Sequence, residues 1–315
     1  MFSALLLILA ANTAQPQLPK NCTHATAFSG TICTPGTSGK HPAILLLGGS
    51  EGGDSMSYRA APSFAAHGYV AATVAYFGSP GLPQSLENIP VETVGKALDD
   101  ITKRSDVDPN RIAILGLSKG GEFALLAAST YPAIHAVIAA VPSPFAWQGI
   151  AQGPAAPQSS WTSAGKALPY VAYGSQMGEL FGAAFSVHKP LDLRTGYDAS
   201  MQQNKTQIPA AMFHLENIRG PVMMLAADDD QIWDSVAQSQ LGMRYLRDHH
   251  YAYSDIYLHY QGAGHIFLFS SPERPMTQAP MGPLTLMLGG TAQANTQAAA
   301  QAWPRIFAFL SAALK

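Results

Sequence analysis

Short apolar runs recur along this chain, and most are followed by a segment long enough for one helix. Residues 41–47, 69–76, 111–117, 134–140 and 221–227 are apolar almost throughout, which predicts strands buried on both faces. Residues 255–260 predict one more strand. Between these runs the period changes. Val91, Val94, Leu98 and Ile101 share one helical face after Pro90, predicting a helix over 91–103. Further helices are predicted over 55–66, ended by His67-Gly68, over 122–128 and over 235–247. A last one carries Trp303, Ile306, Phe307, Phe309 and Leu310. Strands alternating with helices predict an α/β fold with a mostly parallel sheet covered on both faces.

Two stretches depart from that rhythm. Over 142–219 no long strand can be read, and Gly, Pro, Ser, Trp and Tyr punctuate the chain. A segment of this kind between two strands is expected to be a lid-like insertion over the strand tips, with a separate small domain as the alternative. Its residues Phe145, Trp147, Trp161, Tyr170, Tyr173 and Phe181 are candidates for an apolar substrate wall, or equally for the insertion's own core. At the other end, residues 1–14 read as a secretory signal peptide, an apolar stretch closing on small residues. Residues 15–40 are rich in Pro, Thr, Ser and Gly and predict an exposed lead-in with short hairpin strands. The domain proper is then 41–315.

Composition narrows the function. Hydrophobic residues make up 47% of the 315, enough for a sizeable core, and charged residues 12%. A formal charge of −2 with no Lys/Arg cluster argues against nucleic acid or an acidic membrane surface as partner. Cys22 and Cys33 are the two cysteines, and a bridge between them would suit the periplasmic or secreted location that the signal peptide predicts.

The candidate chemistry gathers at strand ends. Gly116-Leu117-Ser118-Lys119-Gly120 sits between a predicted strand and a predicted helix, the context of a nucleophile elbow. A serine needs a base, and the base needs a carboxylate to orient it. His265, after the last strand and the flexible Gly262-Ala263-Gly264, is the candidate base. Of Asp228, Asp229 and Asp230, the third lies where a turn should aim a side chain back at the sheet edge. Asp230 is therefore the candidate acid, Asp229 the second choice, and Asp228 is expected to face water. The order Ser, Asp, His suits this fold. The oxyanion donors are expected to be the Lys119 amide and, from the glycine-rich loop over 48–53, the amide of Ser50 or of Gly49. That loop lacks the Gly-Lys-Ser/Thr ending of a phosphate-binding loop, and no paired His motif suggests a metal. No cofactor is expected.

Taken together, Leu47-Gly48-Gly49-Ser50-Glu51-Gly52-Gly53, Gly116-Leu117-Ser118-Lys119-Gly120-Gly121-Glu122, Asp229-Asp230-Gln231-Ile232-Trp233 and Gly262-Ala263-Gly264-His265 resemble one group of α/β-hydrolases. That group is the catalytic domain shared by acyl-CoA thioesterases and bile acid-CoA:amino acid N-acyltransferases. The resemblance implies a triad of Ser118, Asp230 and His265 acting on an ester or thioester, and the aromatic residues of the insertion suggest an apolar acyl part. Two departures stand out. The acyltransferases of the group resemble one another in a Cys nucleophile, so Ser118 favours transfer to water. The group's proteins also carry a β-sandwich ahead of the hydrolase domain, and the residues before His41 are too few for one. The expected function is a serine hydrolase. An acyltransferase, or a non-catalytic binding protein on the same fold, is the alternative.

Overall fold

A computed structural model describes residues 18–315 apart from 152, 154, 155 and 188; the signal peptide predicted over 1–14 lies outside the described residues. In chain order the first half contains β1 (Cys22–His24), β2 (Thr31–Cys33), β3 (His41–Leu47), α1 (Ser55–Tyr58), α2 (Ala61–Ala66), β4 (Val70–Thr73) and β5 (Ile89–Pro90). It continues with α3 (Glu92–Thr102), β6 (Val107–Leu117), α4 (Lys119–Thr130) and β7 (Ala136–Ala140). The insertion supplies β8 (Trp161–Ser163), β9 (Lys166–Ala167), α5 (Ser175–Val187), α6 (Arg194–Gln203) and α7 (Ile208–Ala211). The rest is β10 (Val222–Ala227), α8 (Ser235–Asp248), β11 (Asp255–Tyr260), β12 (Gln278–Met281), β13 (Leu284–Met287) and α9 (Ala292–Ala313).

Eight strands form one sheet in the order β1-β2-β4-β3-β6-β7-β10-β11. From β4 to β11 every neighbour is parallel, and the order reverses at β3, whose neighbours are β4 and β6. This is the α/β-hydrolase architecture. Parallel strands need helical crossovers, and those helices bury both faces of the sheet, so β3, β6, β7 and β10 carry unbroken apolar runs. One core lies on each side, around Phe123 and Leu98 on one face and around Phe64, Ile306 and Leu310 on the other.

The described part of the predicted lead-in, residues 18–40, does not stand apart from this sheet. The hairpin β1–β2 pairs through β2 with β4, and the Cys22–Cys33 disulfide crosslinks it. Both cysteines are buried. The helix predicted over 55–66 is two short helices, because Pro62 lacks the N–H that a helix interior needs and sits instead in the first turn of α2. Pro90 closes the short strand β5 rather than starting α3. The strand over 69–76 ends at Thr73, which leaves Tyr76 free to turn towards the next loop. The hairpin β12–β13 was not predicted at all. Among the described residues, no helix is long and apolar enough to cross a membrane.

Candidate active site

The tip of β6 is where the backbone is most constrained. Ser118 has φ 57° and ψ −123°, a conformation that L-residues rarely adopt and that a sharp strand-to-helix turn imposes. The turn leaves no room beside it. A Cβ at Gly116 would lie 1.9 Å from the Gly120 carbonyl oxygen, and one at Gly120 would lie 1.9 Å from that of Gly48. Both glycines are required by close approach, and together they bring the 48–53 loop against the start of α4.

Ser118 meets two distant side chains. His265 Nε2 lies 2.7 Å from Ser118 Oγ, and His265 Nδ1 lies 2.8 Å from Asp230 Oδ2. All three are buried. The second oxygen, Asp230 Oδ1, accepts from the amides of Ile232 at 2.9 Å and Trp233 at 3.2 Å, which fixes the carboxylate's rotation. The Trp233 ring stands edge-on to His265, with centroids 5.4 Å apart.

The other two aspartates are used elsewhere. Asp229 accepts from the Gln231 side chain at 2.7 Å and from the Gly290 amide at 2.8 Å. Asp228 is exposed, as expected, and it also accepts from the Gly262 amide, which shapes the loop that carries His265. Three consecutive acids thus brace three different neighbours, and Asp230 alone reaches the imidazole.

The His265 loop is held from behind by residues that the sequence reading did not single out. Asn295, buried in α9, accepts from the Gly264 amide at 2.7 Å and donates to the carbonyls of Pro275 and Gly289. The His265 amide donates to the Leu288 carbonyl at 2.7 Å. Residues 288–290 therefore lie between the acid loop and the histidine loop. A Gly289-Gly290 pair two residues after a strand was the available signal, since each has positive φ and backbone packed close against it. From the insertion, Arg194 donates to the Asp230 carbonyl oxygen at 3.0 Å and pairs with Asp234 at 2.7 Å.

The loop after β3 comes within reach of Ser118. Tyr76 Oη lies 2.6 Å from the Gly49 carbonyl oxygen and 2.9 Å from that of Gly48, and its one proton serves both. The Ser50 and Lys119 amides donate to no other protein group among the described residues, and both residues line the same cavity as Ser118. The Gly49 amide instead interacts with the Glu51 carboxylate. Ser50 is thus the better-placed donor of the two candidates in this loop.

Glu51 is a charge problem the sequence did not reveal. Its Oε1 is buried with no hydrogen-bond partner, and its carboxyl and the Ser118 side chain border the same point beside Gly49. Burial pushes the Glu51 carboxyl up to about 7, against the opposing pull of nearby amides and of Arg59. A carboxyl raised in this way favours the protonated folded state, so its contribution to stability is present below its ordinary value of 4.5 and is lost as the pH rises through about 7. Glu51→Gln should therefore gain stability relative to the parent protein as buffers move from about pH 5 to pH 8. Urea unfolding across that range measures the difference. A gap that stays constant with pH would contradict the assigned environment.

A buried ion pair lies directly behind the elbow. Lys119 Nζ is 2.7 Å from both oxygens of Glu122 and 2.8 Å from Ser160 Oγ, and it stands over the Trp161 ring. Glu122 Oε1 also accepts from the Trp147 amide at 3.1 Å and from Trp161 Nε1 at 2.6 Å. Burial pushes Glu122 up and Lys119 down, and their mutual attraction opposes both shifts. The pair bolts two segments of the insertion to α4. Of the six aromatic candidates there, Phe145, Trp147 and Trp161 are fully buried, Tyr170 packs against the main core, and Tyr173 and Phe181 line the cavity. Four of the six thus belong to packed cores, and two face the cavity.

The cavity in front of Ser118 and His265 has a volume of about 1070 Å³. Its walls come from α5 and β12–β13 and, beside His265, from Ile232 and Trp233.

Comparisons with known proteins bear on the family. Residues 89–315 match the family described as BAAT / Acyl-CoA thioester hydrolase C terminal. The peroxisomal succinyl-coenzyme A thioesterase of Mus musculus is 25% identical over 287 residues, covering 89% of this chain and 62% of its own. Acyl-coenzyme A amino acid N-acyltransferase 1 of Mus musculus is 24% identical over 283 residues, with shares of 89% and 62%. The chain thus spans about three fifths of the length of these curated relatives. Among solved structures, a dienelactone hydrolase-like promiscuous phosphotriesterase from metagenomic libraries superposes with a TM-score of 0.52 at 16% identity, covering 91% of this chain and 92% of its own. That likeness concerns the fold. By the family match over most of its length, the chain belongs to the BAAT / acyl-CoA thioester hydrolase C-terminal family.

Proposed function

We propose that this protein is a serine hydrolase that cleaves carboxylic ester or thioester bonds through an acyl-enzyme. The observation that carries this reading is the hydrogen-bonded row Ser118–His265–Asp230, at 2.7 and 2.8 Å, opening onto the large cavity. Ser118 Oγ attacks the substrate carbonyl carbon while His265 Nε2 takes its proton. Asp230, fixed by two backbone amides, holds the imidazole and stabilises the imidazolium. The oxyanion gathers between the Ser50 and Lys119 amides, neither of which donates to another protein group among the described residues. Collapse of the intermediate expels the alcohol or thiol, which leaves with the proton from His265. Water then attacks the acyl-Ser118 ester with His265 as base, and the carboxylic acid departs.

The family description and the relatives' names favour an acyl-coenzyme A thioester as substrate. The disulfide and the sequence of residues 1–14 favour an exported protein, where other esters are the available substrates. The N-acyltransferase among the relatives supports a second reading, transfer of the acyl group to an amine on the same triad. A direct screen decides among these. The protein is offered p-nitrophenyl esters and acyl-CoA thioesters, with and without amino acids or alcohols as acceptors. Hydrolysis with fluorophosphonate labelling of Ser118 is expected. A condensed product that forms in preference to the free acid would replace the hydrolase reading. A folded protein that neither turns over substrate nor takes the label would leave a binding protein.

A further inference from the structure

The walls of the cavity differ sharply from end to end. Its Asp, Glu, His, Lys and Arg residues, among the described lining, are Glu51, Lys119 and His265, and all three lie at the Ser118 end. Of these, Lys119 Nζ is closed off by Glu122 and Ser160 and offers no charge to a ligand. Away from that end the lining is mainly hydrocarbon, thioether and aromatic ring, with Met177 and Phe181 on α5, Tyr197 on α6, Met281 and Leu286 on the hairpin, and Leu288, while the uncharged polar side chains of Gln148 and Ser186 also border the cavity. The Tyr197 hydroxyl is paired with that of Tyr173 at 3.2 Å. A ligand reaching this far meets no ionised group.

α5 is also shaped for something long. Gly178 and Gly182 both line the cavity, and four-residue spacing puts them on one helical face, about 6 Å apart along the axis. A Cβ built on either glycine would meet nothing within 4 Å among the described residues. Neither glycine is explained by tight packing or by positive φ, and glycine weakens a helix interior relative to alanine. What they leave is a shallow trough along the helix, open to the cavity. At the end of α5, Phe185 lines the cavity while 43% exposed, and Val187 beyond it is 68% exposed. The apolar lobe therefore continues to the surface instead of ending in a closed wall.

We propose that this trough is the acyl-chain site, that it takes a long, uncharged, unbranched aliphatic chain, and that Gly178 and Gly182 set the length it accepts. The assignment rests on the hydrolase reading for which end of the ligand faces Ser118. It does not rest on that reading for the existence of the apolar site. Burial of each further methylene in such a lobe is worth about a fourfold gain in binding. Hence kcat/KM should climb as the acyl group lengthens, until the trough is filled.

Gly178→Leu and Gly182→Leu fill the trough without removing any group that touches Ser118, and Leu improves helix propensity, so both variants are expected to fold. kcat/KM is measured on p-nitrophenyl esters from acetate to palmitate. The expected result is a loss of about tenfold or more on the long esters, with acetate and butyrate turned over as in the parent protein. Equal losses on short and long esters, or no loss on the long ones, would overturn the assignment. A second measurement does not need turnover. Titration of a dansylated undecanoic acid into the Ser118→Ala protein should show binding, and the Gly182→Leu change in that background should weaken it about tenfold or more. Unchanged probe binding would also overturn the assignment. An inactive parent protein that still binds the probe in a Gly182-dependent way would refute the hydrolase reading and leave the chain site standing.

Discussion

Ser118→Ala is expected to lower kcat by about 10⁴- to 10⁶-fold and to abolish fluorophosphonate labelling, with the fold intact. The size of the loss follows from what the hydroxyl does. Without Oγ there is no acyl-enzyme, so His265 and Asp230 have nothing to activate, and only oxyanion stabilisation and substrate positioning remain. The structural cost is small by comparison. Alanine removes one hydrogen bond, to His265, and adds no bulk in the crowded turn between Gly116 and Gly120. Asp230 keeps its two amide donors and His265 its bond to Asp230, so the loops around the site stay anchored. Thermal unfolding within a few degrees of the parent, together with the lost rate, is the outcome that assigns the nucleophile. Retained labelling or turnover in a folded Ser118→Ala protein would mean that another group carries the chemistry.

Glu122→Ala should be the most damaging single change for stability, costing about 3–5 kcal/mol. It strands the buried Lys119 ammonium without its counterion, and it leaves the Trp147 amide and Trp161 Nε1 without an acceptor. Lys119→Met should cost less. Its thioether fills much of the same space, Glu122 keeps two donors, and its carboxyl is already pushed towards the neutral form by burial. Replacing both, as Lys119→Met with Glu122→Leu, should recover part of the loss even though the two tryptophan donors stay unpaired. Denaturant unfolding of the three variants gives the ranking. If Lys119→Met were the worse of the pair, the Glu122 carboxylate would not be the hub of the network. Because Lys119 also supplies a proposed oxyanion amide, these variants separate the backbone's contribution from that of the side chain.

The positions of Ser118, Asp230 and His265 were legible because each follows an apolar run by a few residues, and a parallel sheet puts the ends of such runs on one rim. The reading of Asp230 over Asp229 came from counting positions in a turn, and the reason that Asp230 is the one to meet His265 is visible only in space. Gly290 and Gly262 take the other two acids, and both lie more than thirty residues away in the chain. What sequence could not show was long-range pairing of polar groups. Asn295 in an Ala/Gln-rich stretch looks like a surface helix residue, yet it is fully buried against the histidine loop. Glu122 reads as an ordinary charge in the first turn of a helix, where it would also suit the dipole, and burial gives it another task. The β1–β2 hairpin was legible as a hairpin, but three-residue strands carry too little pattern to reveal which sheet they join. The missed β12–β13 strands contain Pro280 and lie outside the main sheet, so neither propensity nor spacing marked them.

The Lys119–Glu122 clamp also constrains traffic. Trp147 and Trp161 are both fastened to the helix that presents Ser118, so Gln148, Gly149 and Ile150, which follow Trp147 and line the cavity, are tied to that helix. Entry of substrate and escape of the freed acid are then left to the unclamped side, where Phe185 meets solvent. A detergent or lipid surface would have little to prise open, and turnover should begin without a lag when the substrate passes from monomers to micelles.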